Sequence, residues 1–514
     1  MTSVTLEQQF ERFGPAYRWL VALAGMLGAM TMVLSATMVN VAVPSIMGAF
    51  GVGQDMAQWA ATAFIATMVA SQLLNSWMVE AFGQRLAYTL TLILFTIGAV
   101  VCAVSVSIEM LIVGRIMQGF SAGIIQPLVM ATIISVFPPE RRGFAMGLYG
   151  MGVTLSPSLG PLAGGLTIDA MTWRHIFLVP LPLVAISFAM GVVFMPSKKF
   201  SRKLPEFDWT GYLLLGTGLV CLMTGVGNGY RWGWGSDGIL SLFTIGVIAA
   251  TGFVYWQAHA KAPLLDLSFF LNPRFAAAMV IAFAFGAGNF ATNYAIPVFA
   301  QTIQGFTPTK AGMVLAPAGL LLVMMIPFSG KLADRVPPHF PIMTGVAMFA
   351  FAAFLMSDAD VNTPFVMVAM FAIISRLGLG LVMPNMGAAA LRGIPPDRLN
   401  KAAGAYNFTR QLGGAFGVNC VVVVMESRTA FHADALATTQ TAANSLTRDM
   451  IGGVNQLLSE SGLPEAVRQA GALDYLSSVI HIQAQTFGFQ DAFLVICLVF
   501  VATLIPAWML KRTK

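Results

Sequence analysis

Fourteen runs of mostly apolar residues, each long enough to cross a bilayer, dominate this chain at about 18–46, 58–79, 86–106, 110–136, 143–167, 175–196, 209–227, 239–258, 275–302, 310–330, 340–357, 364–391, 402–425 and 488–510. A hydrocarbon core about 30 Å thick takes about 20 helical residues to span, and a backbone in lipid must satisfy its own hydrogen bonds. Each run therefore predicts a transmembrane helix. Hydrophobic residues make up 57 % of the chain and charged residues 10 %, against about 25 % charged in soluble domains. The expected fold class is an all-α integral membrane protein. The first run is long and lacks a small-residue cleavage site, which predicts a retained span and not a secretory signal.

An even number of spans puts both termini on one side, and the basic residues choose which. Nineteen of the 28 Lys and Arg, among them Arg85, Arg141, Arg142, Lys198, Lys199, Arg335 and Arg398, fall on the side of the termini. By the positive-inside rule that side is cytoplasmic. The net charge of +6 thus reports topology, and nucleic acid is not an expected partner. Cys102, Cys221, Cys420 and Cys497 lie in apolar runs without metal-ligand spacing.

The chain also repeats itself. Pro138-Pro139-Glu140-Arg141 returns as Pro395-Pro396-Asp397-Arg398, and Gly123, Pro127, Gly147 and Tyr149 return at the same offset as Gly380, Pro384, Gly404 and Tyr406. Asn40-Val41-Ala42-Val43-Pro44 recurs as Asn293-Tyr294-Ala295-Ile296-Pro297. Equivalent points lie an even number of spans apart, so the halves are parallel repeats, an arrangement that lets two bundles rock about a shared site. This predicts an N-terminal six-helix bundle over 1–196, a basic linker with two inserted helices over 197–274, and a C-terminal six-helix bundle over 275–514. One sizeable loop, 426–487, lies on the far side. Met450, Ile451, Val454, Leu457 and Leu458 follow helical spacing there, which predicts an amphipathic cap or a docking surface.

Several constellations bear on function. In the fifth run Gly152, Ser156, Gly160 and Gly164 recur every fourth residue, a flat face on which another helix can approach closely, while Pro157 and Pro161 permit a bend. Arg115 stands inside the fourth run, where a cation costs about 2.5–3.5 kcal/mol on insertion scales. It either snorkels toward the outer headgroups beside Glu109 or serves the transport path. Asn289 and Asn293 are one turn apart, and Asn407, Arg410 and Gln411 share a face. No Asp, Glu or His stands near the middle of any run: Asp169, Glu426 and Asp491 lie near outer ends, Glu80 and Asp334 near inner ends.

Taken in order, these runs resemble the major facilitator superfamily, in particular its fourteen-spanning drug:proton antiporters of the EmrB/QacA type. Gly160-Pro161-Leu162-Ala163-Gly164-Gly165 resembles the antiporter motif of the fifth span. Gly114-Arg115-Ile116-Met117-Gln118-Gly119 is similar to the fourth-span motif, whose arginine is implicated in proton transfer and faces the cavity. The superfamily's loop signature is similar to Ser76 through Arg85, with Glu80, Gly83 and Arg85 in gating positions. Its opening recurs at Gly330-Lys331-Leu332-Ala333-Asp334-Arg335. Leu34 through Pro44, Trp173 through Phe177, Pro263-Leu264-Leu265-Asp266-Leu267 and Asn407 through Gly414 follow further family runs. The first-span pattern has Asp where this chain has Ser35, so a usual proton carrier is missing.

The resemblance implies alternating access in a cell membrane, the inner one where the host has two, with the proton gradient as energy source and no cofactor. It also implies cooperation with a periplasmic adaptor and an outer-membrane channel in such a host. The expected pathway residues are Ser35, Asn40, Arg115, Gln118, Asn289, Asn293, Asn407, Arg410 and Gln411. With 32 Met and 38 Phe in the chain, an adaptable, mostly neutral lining predicts export of hydrophobic or amphipathic compounds. Export of one endogenous metabolite or fatty-acid-like anion is the alternative, with Arg115 and Arg410 as anion partners. No nucleophile, metal cluster or soluble signalling domain points to an enzyme.

Overall fold

The computed structural model describes residues 6–197, 206–260, 263–391, 394, 398–441 and 443–511. The basic linker expected at 197–206 lies largely outside the described residues. The N-terminal half contains α1 (Leu6–Phe13), α2 (Tyr17–Phe50), α3 (Gln54–Ala57), α4 (Trp59–Gln72), α5 (Asn75–Ala103), α6 (Ile108–Val136), α7 (Pro139–Ala170) and α8 (Leu181–Phe194). Next come α9 (Trp209–Trp232) and α10 (Asp237–His259). The C-terminal half holds α11 (Pro273–Thr302), α12 (Pro308–Arg335), α13 (His339–Met356), α14 (Phe365–Leu391), α15 (Leu399–Thr439), α16 (Ser445–Glu460) and α17 (Glu465–Met509).

Among the described residues, twelve helical stretches are long and apolar enough to cross a membrane. The two other expected spans are helical as well: α7, and α4 continued by the start of α5. The latter is broken at Leu73–Leu74. Inside α5, Gly83 has φ 75° and ψ 162°, a conformation that a Cβ would oppose, and this turn separates the second span from the third. Helix starts follow capping chemistry: Ser107, Asp208, Ser236 and Thr307 each accept a hydrogen bond from a backbone N–H three residues on. Pro273 and Pro308 stand in the first turn, where a missing N–H costs nothing.

The sixth span runs over Trp173–Phe194, close to the expected 175–196, and opens with a 3-10 turn at Trp173–Phe177, where Trp173 is buried, before α8 starts at Leu181. Two expected boundaries are corrected. The far-side loop is mostly helix: α15 continues to Thr439 and α17 begins at Glu465. Both extensions outrun the bilayer, and α16 packs against α17. Polar stretches such as Glu426–Asp434 carry no apolar signal and read as loop, although nothing in them stops a helix.

Lipid supplies no hydrophobic drive between helices, so close packing and internal polar bonds hold the bundles together. Tyr88 Oη and Ser187 Oγ share a hydrogen bond at 2.6 Å and lie 2.7 and 3.1 Å from the Ala24 carbonyl, which accepts from the hydroxyl whose proton remains; the cluster ties α2, α5 and α8. Phe349 and Phe500 stack at 4.2 Å with Phe285 edge-on, joining α11, α13 and α17. The inserted helices pair with each other, and α9 lies against α15 and α4. There the Asn419 amide donates to the Met223 carbonyl at 2.7 Å. At its start Asp208 caps α9 and accepts from Trp256 and Gln257 of α10, each at 2.7 Å.

On the side of the termini, Asp266 at the entry to α11 is bound by Ser268 and by Arg398 at the entry to α15. Burial pushes the Asp266 carboxyl up, but these donors outweigh it and hold it below the usual carboxylate value. A depressed value keeps the clasp above the unfolded carboxylate range and releases it only as pH falls through the folded one.

With the four native cysteines replaced, single cysteines at the exposed Leu271 and Ala443 are expected to react with an impermeant maleimide from opposite faces, Ala443 from outside. Labelling of both from outside intact cells contradicts the topology.

Candidate functional site

Four elements of the N-terminal half and four of the C-terminal half surround a central cavity of about 110 Å³. Met32, Val33, Ala36 and Thr37 of α2, Met68 of α4, Gln126 of α6, and Val153 and Pro157 of α7 form one wall. Asn289, Phe290 and Asn293 of α11, Leu322 of α12, Arg376, Leu379 and Met383 of α14, and Arg410 and Gln411 of α15 form the other. Of the expected pathway residues, Asn289, Asn293, Arg410 and Gln411 meet here. Asn407 is half-buried and lies outside this lining.

Arg376 was not among the residues singled out for the pathway, yet it is the best-anchored polar side chain in the cavity. It is 2 % exposed. Its Nη1 donates to Asn289 Oδ1 at 2.5 Å and its Nη2 to Asn293 Oδ1 at 2.6 Å. A cation near mid-bilayer is the signal that would have found it, the same that marks Arg115. The repeat hid it, because the offset of Pro127 and Pro384 carries Arg115 onto Ala372, one helical turn away.

Arg115 is 0 % exposed and turned inward. Its Nε donates to the Ala60 carbonyl at 2.6 Å and its Nη1 to Gln118 Oε1 at 2.9 Å, with Ser35 Oγ at 3.5 Å. The guanidinium also lies 4.3 Å from the Phe64 ring centroid. It therefore neither snorkels nor lines the central cavity; it joins α2, α4 and α6 in a separate polar knot. Ser35, the departure from the family pattern, is a weak neutral acceptor in that knot.

Asn40 and Asn293, equivalent in the repeat, touch: Asn40 Nδ2 donates to the Asn293 carbonyl at 3.1 Å, a bond between halves. The small-residue face of α7 splits its contacts. A Cβ added at Gly160 would strike Thr37, and one at Gly164 would lie 2.9 Å from the Met38 carbonyl, both on α2. Gly152 faces Met26 of the same helix, and Ser156 donates to the Gly152 carbonyl at 2.9 Å. Gly165 instead faces Pro308 and Thr309, and Gly312 of α12 faces the Pro161 carbonyl. The motif thus binds α7 to its own half on one edge and to the other half on the next.

At the inner ends, Glu80 is exposed. Arg85 donates to the Met195 carbonyl at 2.7 Å, so it caps the end of α8. The side chains of Asp334 and Arg335 lie outside the described residues, although α12 runs to Arg335. On the far side a vestibule of about 820 Å³ is bordered by Asp55, Arg231, Glu426, Asp434 and His481. Arg231 pairs with Asp55 at 3.5 Å, and Glu426 of α15 borders the same space as Asp55 of α3.

Gly165→Leu overpacks the contact between halves, where a Cβ would strike the Pro308 carbonyl, and is expected to cut transport at least about tenfold at a stability cost of about 1–3 kcal/mol. Gly164→Leu wedges α7 from α2 inside one half and should lower the melting temperature, for a cost of about 1–3 kcal/mol. Native transport by Gly165→Leu would remove the α7–α12 contact from the cycle.

The sequence profile described as Major Facilitator Superfamily matches residues 25–418. The chain is 25 % identical to the multidrug export protein EmrB of Haemophilus influenzae over 96 % of its own length and 95 % of that protein's. It is 27 % identical to the lincomycin resistance protein LmrB of Listeria monocytogenes, over 79 % of this chain and 85 % of that one. Among solved structures, it superposes on a POT family transporter in complex with a thioalcohol-conjugated peptide, with a TM-score of 0.66, 12 % identity and 99 % of both chains covered. A bacterial homologue of the human lysosomal transporter Spinster, inward-facing and occupied, gives a TM-score of 0.61 at 15 % identity over 98 % of both chains. These two likenesses concern the fold alone. The profile match and the full-length relatives carry the stronger conclusion: this chain is a transporter of the Major Facilitator Superfamily.

Proposed function

We propose that the protein exports hydrophobic and amphipathic compounds from the cell by alternating access, driven by proton counterflow. The observation that carries this reading is the central cavity. It is walled by both halves, lined by Met32, Met68, Met383 and Phe290 among other apolar side chains, and supplied with a few amide and guanidinium groups, the composition of an adaptable small-molecule site. Relatives named for multidrug export and lincomycin resistance support the efflux direction. The two bundles are the rocking bodies, α7 and α12 the contact on which they move, and the termini are cytoplasmic.

Without an acid at position 35, protons need another carrier. Glu426 is the candidate we favour over the exposed Glu80: it is half-buried and borders the outer vestibule together with Asp55 of the other half. Two carboxylates facing each other across the contact between halves repel when both are ionised, so protonation of one favours that contact. In a host with two membranes, the α15 and α17 extensions with α16 form the surface for a periplasmic adaptor and an outer-membrane channel. Leu446 and Leu457 of α16, 77 % and 66 % exposed, supply its apolar anchors.

Cells expressing the protein should survive a chemically diverse toxic panel better than controls, by about fourfold or more in inhibitory concentration for several amphipathic members, and an uncoupler should erase the difference. Glu426→Gln should lose most of the protection at unchanged abundance, with Ser35→Ala nearly silent. No protection against any member contradicts the efflux reading, and protection that survives the uncoupler contradicts the proton drive.

A further inference from the structure

The charges of the central cavity name the kind of molecule it holds. Its described lining contains two arginines, Arg376 and Arg410, and no Asp or Glu. Both Nη groups of Arg376 are bound by side-chain oxygens of neutral amides, at 2.5 and 2.6 Å, so its charge is hydrogen-bonded but not neutralised. Its Nε, buried, has no hydrogen-bond partner among the described residues, and neither has the Nε of Arg410. A buried guanidinium with an unmet donor is costly. In a dry cavity an anion relieves that cost, whereas a second cation raises it.

The amides reinforce this polarity. Asn289 and Asn293 turn their oxygens toward Arg376, and Asn293 Nδ2 is spent on Asn289, donating to its carbonyl at 2.8 Å. Neither amide therefore offers a free oxygen aimed at an ammonium group. The rest of the wall is apolar over Met32, Phe290, Leu322 and Met383, with Thr37, Gln126 and Gln411 as its uncharged polar members; Gln411 Oε1 is buried without a hydrogen-bond partner among the described residues, and as a neutral dipole it does not offset the two guanidinium charges. A free volume of about 110 Å³ admits an acid headgroup and is below the roughly 300–1,000 Å³ of sites that enclose drug-sized ligands.

We propose that the preferred cargo is an amphipathic monoanion, a deprotonated weak acid on an apolar body, with its headgroup held between Arg376 and Arg410 and its body entering along Met32, Phe290 and Met383 as the halves part. This rests on the efflux reading and narrows it. Arg376 is the principal binding residue and Arg410 the second. A cationic amphipath, the other broad class of toxic compound, meets two like charges and no counter-ion.

The test uses purified full-length protein in nanodiscs of neutral lipid and three matched probes: naphthylacetate, naphthylacetamide and naphthylethylamine. The anion should bind about tenfold tighter than the amide, the scale of one charge-assisted hydrogen bond, and the amine weakest of all. Arg376→Gln should abolish the preference for the anion over the amide, Arg410→Gln should reduce it, and Arg376→Lys, which keeps the charge, should retain most of it. A melting curve for each variant separates lost binding from lost fold, and where Arg376→Gln fails to fold, Arg410→Gln and Arg376→Lys carry the decision. Equal binding of anion and amide, preference for the amine, binding of none of the three, or an unchanged preference in Arg410→Gln each overturns the proposal. Resistance to cationic or neutral toxins in the survival screen would leave the efflux reading standing while this narrower one fell.

Discussion

Two guanidinium groups buried at membrane depth, each held by neutral acceptors instead of a carboxylate, are the constraint around which this structure is organised. Lipid offers no water to solvate an arginine, so each must be surrounded by protein oxygens. Arg115 draws on Ala60 of α4, Gln118 of its own helix and Ser35 of α2. Arg376 draws on Asn289 and Asn293 of α11. Each arginine thereby ties together the helices of its own half, and the Asn40–Asn293 bond links the halves at the point where the repeat brings equivalent residues together. Neutral partners leave the charge uncancelled, so positive potential persists inside the molecule.

The division of the α7 face follows the same economy. In lipid, helices associate where small residues let backbones approach. Gly160 and Gly164 seat α7 against α2 within one half, and Gly165 with Pro161 seats it against α12 of the other. One helix thus belongs firmly to its bundle while offering its next edge to the opposite bundle. Pro157 and Pro161, which lie inside it, weaken its internal hydrogen bonding.

Much of this was legible in the sequence, because the period and length of apolar runs translate directly into spans: each of the fourteen expected runs contains a helix, with the second broken at Leu73–Leu74. The Asn289/Asn293 turn and, of the Asn407/Arg410/Gln411 face, Arg410 and Gln411 converge on the cavity, while Asn407 does not. What escaped has a common physical origin in contacts between helices. The acceptors of Arg115 include a backbone carbonyl on α4, which no residue type announces. Arg376 sits one turn away from the place where the repeat would have drawn attention to it. Arg85 caps α8 through the Met195 carbonyl, a partner on a distant element. The helical extensions of α15 and α17 escaped because their sequences are polar, and hydropathy reports only the portion inside lipid.

Export against a gradient is the central claim, and coupling to protons is the part on which Ser35 bears hardest. The most direct measurement is lumenal pH in proteoliposomes of the purified protein carrying a pH-sensitive dye, followed on addition of an amphipathic substrate with no other driving force. The account predicts substrate-dependent proton movement opposite in direction to the substrate, collapsed by an ionophore. Substrate flux with no accompanying change in lumenal pH would contradict it.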